Sequence, residues 1–322
     1  MSSYNKNDLD ELAIKTGFLR DQLEKVIRLA DILRSFREHD LLWGSLVLKG
    51  GTAINLTIFS MPRLSVDIDL DYCKNVSKEE MLDDRRKICK AIESIMMPKS
   101  YMLNPRSKSP HTIDSLVYEY RNAAGNNDII KIEINYSDRC HVLPIKEQTT
   151  SVEILGDITV KTLSPIELYA SKIKALTSRA AVRDIYDVYG MIKANLFASK
   201  EERELLRKIF VFYNAIGSSC KAEEVTLKFE NFPHIENLEF HQVRDYLLPV
   251  LRKSEKFDFN AAKDEVIKFL NDFLVFSADE RLFIEHFNHR NYRPEILFKD
   301  SHIIERISHH PMALWKCRPF ED

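Results

Sequence analysis

Apolar positions recur at helical spacing across residues 8–40, notably Leu23, Val26, Ile27, Ala30 and Leu33, so one or two amphipathic helices open the chain, with Asp21 placed to cap the start. The pattern then shortens. Residues 45–49 form a brief apolar run ending at Gly50-Gly51, and Ala53, Ile54 and Leu56 resume the helical spacing, which predicts strand, tight turn and helix. Residues 66–72 alternate strictly and predict a second strand. Residues 77–97 predict a helix with one charged face, opened by Ser77 and, three positions on, Glu80, the two ends of a capping box. Two further alternating runs, 116–121 and 129–136, flank Asn122-Ala123-Ala124-Gly125-Asn126-Asn127 and predict a hairpin that completes a small mixed sheet.

The second half of the chain changes character. Ser164-Pro165-Ile166-Glu167 combines a capping serine, proline at the first helical position and glutamate at the third, which starts a helix running through Ala175. A second helix is expected over 181–194, and helical periodicity continues near 203–213, 240–251 and 261–276, with an irregular tail from Tyr292. The fold class is therefore α+β. A domain carrying the sheet and the N-terminal helices occupies residues 1–160, and a mainly helical C-terminal domain occupies 161–322, with the boundary near 155–165. No internal repeat or low-complexity tract interrupts either half.

Composition narrows the class. A chain of 322 residues with 44% hydrophobic content can bury a substantial core. Its 47 Lys and Arg nearly balance 49 Asp and Glu, so no global positive field recruits nucleic acid, and such a partner would need a local patch. The five cysteines, Cys73, Cys89, Cys140, Cys220 and Cys317, are scattered and lack CxxC spacing, which argues against a disulfide framework and a structural zinc site. The start, Met1-Ser2-Ser3-Tyr4, lacks the apolar run of a signal peptide, and no segment approaches the ~20 apolar residues of a membrane helix. A soluble, cytoplasmic protein without a membrane partner is expected.

The candidate chemistry lies between Lys49 and Asp71. Alternation along Val66-Asp67-Ile68-Asp69-Leu70-Asp71 places the three aspartates on one face and the aliphatic residues on the other. Carboxylates so close resist simultaneous ionisation, and a divalent cation relieves the repulsion. Mg²⁺ takes a few carboxylates plus water and substrate phosphate oxygens, which suits Asp67 and Asp69 as metal ligands beside a nucleotide. The plain alternative is a solvated edge strand whose acids discourage aggregation. Gly50-Gly51-Thr52 sits at the strand-to-helix turn, where glycines admit a phosphate to the backbone and a helix N-terminus offers N–H groups. Glu133, opposite the isoleucines of the 129–136 run, is a candidate third carboxylate or else an exposed glutamate paired with a lysine.

Two motifs carry a family resemblance. Lys49-Gly50-Gly51-Thr52-Ala53 followed by Arg63-Leu64-Ser65-Val66-Asp67-Ile68-Asp69-Leu70 resembles the signature of the AbiEii/AbiGii (MenT-like) nucleotidyltransferase toxins, relatives of the DNA polymerase β superfamily. Glu167-Leu168-Tyr169-Ala170-Ser171-Lys172-Ile173-Lys174-Ala175-Leu176, then Arg179 and Arg183-Asp184-Ile185-Tyr186-Asp187, is similar to the family's second signature. The two span roughly residues 45–192. Leu64 departs from the pattern, where an aromatic residue is usual.

The resemblance implies a polymerase β-like nucleotidyltransferase domain whose site is completed by Lys172 and Asp184 of the helical half. It matches Ser65 and Asp67 to the family's nucleotide and metal site, Asp69 to its second acidic position, and Lys172 and Asp184 to the essential lysine and aspartate; Gly50, Gly51 and Thr52, read above as the phosphate turn, join Ser65 and Lys172 as the expected nucleotide-binding residues. The implied reaction moves a nucleoside monophosphate from a nucleoside triphosphate, with Mg²⁺, to an acceptor, here RNA at a tRNA 3′ end. The implied role is the toxin of a type IV-like toxin–antitoxin or phage abortive-infection system, with a cognate antitoxin as partner. A small-molecule or protein acceptor, or a non-catalytic binding module, are the competing readings. By physical role, Lys172 suits charge on a leaving pyrophosphate, or is a solvated helix lysine. Asp184 and Asp187 share a helix face and either anchor Lys172, act as base toward the acceptor, or pair with Arg179 and Arg183. His286, His289, His302, His309 and His310 lack metal-ligand spacing, and Tyr292, Phe298, Trp315 and Phe320 read as base-stacking or, more simply, core residues.

Overall fold

The computed structural model describes residues 5–217 and 223–318. Met1–Tyr4, Cys220 and Phe320, on which some of the expectations above rest, lie outside the described residues. The chain divides into two compact units, the first made of Met1–Arg139, Ile145–Leu163 and Leu248–Glu255, the second of Cys140–Pro144, Ser164–Leu247 and Lys256–Asp322.

In the first unit, helices α1 (Lys6–Thr16), α2 (Arg20–Arg37) and α3 (Asp40–Ser45) lead into strand β1 (Leu46–Leu48), helix α4 (Gly50–Thr57), strand β2 (Asp67–Tyr72) and helix α5 (Lys78–Met96). Strands β3 (Met102–Leu103), β4 (Ile113–Arg121), β5 (Asn127–Asn135), β6 (Lys146–Val152) and β7 (Gly156–Thr162) follow. All seven strands join one mixed sheet in the order β3-β4-β5-β2-β1-β7-β6. Strand β2 is therefore central, antiparallel to β1 and parallel to β5, so the solvated edge strand is excluded.

Local chemistry explains the elements. Ser77 accepts from the N–H of Glu80 and Glu80 returns the bond, the capping box expected at α5. The α2 start differs from expectation: Leu19 is the cap position, without a side-chain bond, and Asp21 pairs instead with Arg20 at 2.7 Å. On one face of the sheet, Ile68, Leu70, Ile130, Ile132 and Ile134 are at most 3% exposed, each contributing about 1.5–3 kcal/mol of burial. Strands β6 and β7 extend the sheet beyond the small one expected. β6 is an outer strand whose polar Lys-Glu-Gln-Thr-Thr-Ser run gives no apolar alternation, because an edge strand has only one neighbour and little to bury. The buried carboxylate of Glu24 on α2 accepts from the N–H of Ala123 and pairs with Arg28, fixing the turn of the β4–β5 hairpin.

The second unit is helical. Helices α6 (Pro165–Arg179), α7 (Val182–Lys193) and α8 (Lys200–Ile216) precede α9 (Pro233–Glu236), α10 (Phe240–Tyr246), α11 (Phe259–Phe273) and α12 (Ala278–Asn288). The expected irregular tail instead forms α13 (Pro294–Leu297), α14 (Ser301–Ile307) and α15 (Pro311–Cys317), each too short to show a helical period. Proline opens α13 and α15, while Asp300 caps α14 and His310 caps α15. Of the tail aromatics, Tyr292 and Phe298 pack within this unit, whereas Trp315 is exposed: Tyr292 lies edge-on to Phe287, its hydroxyl donates to the carbonyl of Ile307, and Phe298 meets Phe212 edge-on. His310 is fully buried against Phe212.

Candidate active site

The acidic strand and the glycine turn are built against each other in the first unit. Gly50 has φ +68°, a left-handed conformation that suits glycine, and a Cβ added there would run into the Asp69 carboxylate. A Cβ on Gly51 would lie 2.8 Å from Nη2 of Arg63 and 3.1 Å from Oγ of Ser65. Both glycines thus approach the Arg63–Asp69 run closely, and at Gly50 the left-handed backbone adds a second reason for glycine. Thr52 is 2% exposed and its hydroxyl donates to the carbonyl of Asp67 at 2.5 Å, so it ties the turn to the strand. The N–H of Lys49 donates to the carbonyl of Asp69 at 2.9 Å, and that of Leu64 to Val250 at 2.8 Å, the contact by which residues 248–255 buttress this run. No side chain caps the start of α4.

The three aspartates separate by environment. Asp71 is 2% exposed and paired with the Lys49 ammonium. Burial works against that ammonium, and Asp71, Asp138 and Asp69 outweigh it, so the Lys49 pKa is raised. Asp67 and Asp69 are half-buried and remain the accessible carboxylates of the strand. Parallel pairing of β2 with β5 sets Asp69 directly opposite Glu133, Asp67 opposite Lys131 and Asp71 opposite Asn135. Glu133 shares the acidic face and pairs with Lys131 at 2.8 Å, with both side chains about one-third exposed.

Among the described residues, no group of three or more His, Cys, Asp or Glu side chains is arranged to hold a metal ion. Mg²⁺ does not need such a cage, because one or two carboxylates with water and substrate phosphates complete its octahedron. Asp67 and Asp69, on one face and two positions apart, fit that donor set. A cysteine nucleophile does not fit: burial pushes the Cys73 thiol up to about 11 and the Cys89 thiol up to about 12.

The second signature forms its own buried cluster in the second unit. Lys172 on α6 is 8% exposed, and its ammonium lies 2.8 Å from Asp184 and 3.1 Å from Asp187, both on α7 and nearly fully buried. Of the roles left open for the two aspartates, the geometry supplies the anchoring one for both. Arg179, largely exposed, reaches Asp184 at 3.5 Å. Glu167, five residues before Lys172 on α6 and fully buried, accepts from the N–H groups of Val142 (2.7 Å) and Leu143 (3.0 Å) and from the Tyr213 hydroxyl (2.5 Å). Burial raises its pKa against the lowering effect of His141 and these donors.

The structure brings together Gly50, Gly51, Thr52, Ser65, Asp67, Asp69 and Glu133 in one unit, and Lys172 with Asp184 in the other. Sequence reasoning assigned no role to Lys49, Arg63 or Asp138, and left Asp71 with the other aspartates. Lys49 and Arg63 open the two halves of the first motif, yet an isolated cation beside a glycine turn gives no local sign that Lys49 pairs with Asp71 or that Arg63 is buried.

The fold is that of a nucleotidyltransferase toxin. MenT4, a nucleotidyltransferase toxin from Mycobacterium tuberculosis H37Rv, matches with a TM-score of 0.59 at 15% identity, over 97% of this chain and 98% of that chain. No curated protein matches the chain. The family model described as nucleotidyl transferase AbiEii toxin, type IV TA system, matches residues 31–282. The chain belongs to this AbiEii family of type IV toxin–antitoxin nucleotidyltransferase toxins. The matched span extends well past the second motif, to residue 282. Among the described residues no helix is long and apolar enough to cross a membrane.

Proposed function

We propose that this toxin transfers a nucleoside monophosphate from a nucleoside triphosphate to RNA, at a tRNA 3′ end, releasing pyrophosphate in a Mg²⁺-dependent reaction. The observation that carries the proposal is the packing of the uncapped α4 turn onto the strand that bears Asp67 and Asp69. Backbone N–H groups of the Gly50–Gly51 turn, with the positive end of α4 and the Ser65 hydroxyl, would receive the phosphates. Asp67 and Asp69 would hold the cation, and Mg²⁺ when bound would neutralise charge on the phosphates. Thr52 contributes by keeping the turn on the strand. In the second unit, Lys172 and Asp184 are proposed as required for transfer on the strength of their motif, with Asp187 as the second anchor of the ammonium. The motif resemblance supports RNA as acceptor, and membership of a toxin–antitoxin family supports an antitoxin as partner.

The test is incubation with each labelled triphosphate, Mg²⁺ and either total tRNA, protein extract or candidate small molecules. Label on tRNA is expected, abolished by chelation and by Asp67→Asn in a protein that still folds. Label on protein or a small molecule alone would sink the RNA reading, and a fully active Asp67→Asn variant would sink the metal assignment. In the same assay Glu133→Gln is expected to raise the Mg²⁺ concentration needed. An unchanged requirement would reduce Glu133 to a partner of Lys131.

A further inference from the structure

The first unit buries a charge that the functional reading has not used. Arg63 is 2% exposed and ranks among the largest fully buried side chains of the chain. Its Nη1 donates to the carbonyl of Leu64 at 2.9 Å, which fixes the plane of the guanidinium. Nη2 is the atom nearest to the position of a Cβ on Gly51, with Cζ 3.8 Å from that point and the Ser65 Oγ 3.1 Å from it. The guanidinium therefore lies beneath the first turn of α4, beside the Ser65 hydroxyl.

Burying a guanidinium is costly, and an apolar side chain of similar volume would support a turn at least as well. A charge retained at that location acts on something charged. The residue at the start of α4 is itself a cation, Lys49, and the first turn of a helix already carries partial positive charge. Helix starts ordinarily attract carboxylates, so two cations at this one favour an anion. Asp69 against Gly50 supplies part of it, but it is also a proposed metal ligand. Asp138 also acts on Lys49, so two cations and a divalent ion would balance the four aspartates, and incoming phosphates would meet the local field of the guanidinium rather than a net positive cluster. Unlike lysine or histidine, arginine keeps its charge at any working pH.

We infer that Arg63 is a positioning residue for the triphosphate: from beneath the α4 turn it holds Gly51 and Ser65 in place and sets a fixed positive charge behind the phosphates. The inference rests on the nucleotidyltransferase reading. It predicts that affinity lost on removing the charge grows with the number of phosphates on the ligand.

The experiment is calorimetric binding, with Mg²⁺, of the nucleoside, the monophosphate and the triphosphate of the base that the wild-type protein uses. The proteins are wild type, Arg63→Gln and Arg63→Lys. Arg63→Gln is expected to weaken triphosphate binding about tenfold or more, the monophosphate by less and the nucleoside little. Arg63→Lys, which keeps the charge but loses the planar fork, is expected to restore most of the triphosphate affinity. Equal weakening of all three ligands, or none, would overturn the inference, because a purely structural arginine affects them alike. If Arg63→Gln does not fold, Arg63→Lys decides: an equal loss across the three ligands refutes the inference, and near-wild-type triphosphate affinity supports it. Failure of the wild-type protein to bind any triphosphate would instead refute the functional reading, and the inference with it.

Discussion

Replacing Lys172 by methionine removes the ammonium between Asp184 and Asp187 while preserving most of the side-chain volume. The three side chains are at most 9% exposed, and the ion-pair distances are 2.8 and 3.1 Å, so both carboxylates lose a direct partner out of reach of bulk water. Breaking a buried pair by removing one member costs about 3–5 kcal/mol. Arg179 offers little relief, since it is 71% exposed and an exposed partner contributes under about 1 kcal/mol. A loss near 3 kcal/mol is therefore expected at neutral pH. The vacated point would also leave two like charges together, which raises the pKa of one aspartate above its unfolded value. A group with a raised folded pKa contributes stability below its unfolded pKa that is lost as pH rises through the folded one. The deficit should accordingly shrink on lowering the pH toward 5.

Urea unfolding followed by helical circular dichroism, with hydrogen exchange to localise the change to α6 and α7, measures this directly. A deficit below about 1 kcal/mol at neutral pH, or one that does not shrink in acid, would refute the reasoning. The consequence for enzymology is practical. Loss of activity in a Lys172 truncation would report a damaged cluster as readily as a missing phosphate contact, so Lys172→Arg, which keeps the charge, is the kinetic probe to use.

Two further outcomes follow from the same geometry. Gly50→Ala imposes a Cβ on a left-handed residue and on the Asp69 carboxylate together, and should cost about 1–2 kcal/mol and abolish Mg²⁺-dependent transfer; a variant with both thermal stability and activity intact would show that the turn has room. The raised pKa of Glu167 means that its native form holds the proton more tightly than the unfolded chain does. The melting temperature of wild type relative to Glu167→Gln should therefore fall as pH rises above the ordinary glutamate value of 4.5, and a difference independent of pH would contradict this.

Much of the local structure is readable from residue order. Alternation in Val66–Asp71 predicts the apolar and acidic faces, because side-chain direction along a strand depends only on the parity of position. Ser77 with Glu80, and Ser164 with Pro165, mark helix starts, because caps act within one turn. The two motifs identify the family, and the resemblance extends to its toxin class.

Other features depend on contacts between distant residues. Nothing local in the strand indicates that β2 is central, that Asp71 turns to Lys49, or that Glu133 stands opposite Asp69, since register between β2 and β5 is set by a sheet assembled from segments far apart in the chain. The polar β6 has no periodic signal, and residues 248–255 join the first unit through partners far away in the chain, the Val250 carbonyl accepting from Leu64 and the N–H of Lys253 donating to Gly17. Arg63 and Lys172 look like ordinary surface cations in the sequence. Burial makes them otherwise, because the strength of a charge depends on the medium and partners around it, which only the tertiary structure supplies.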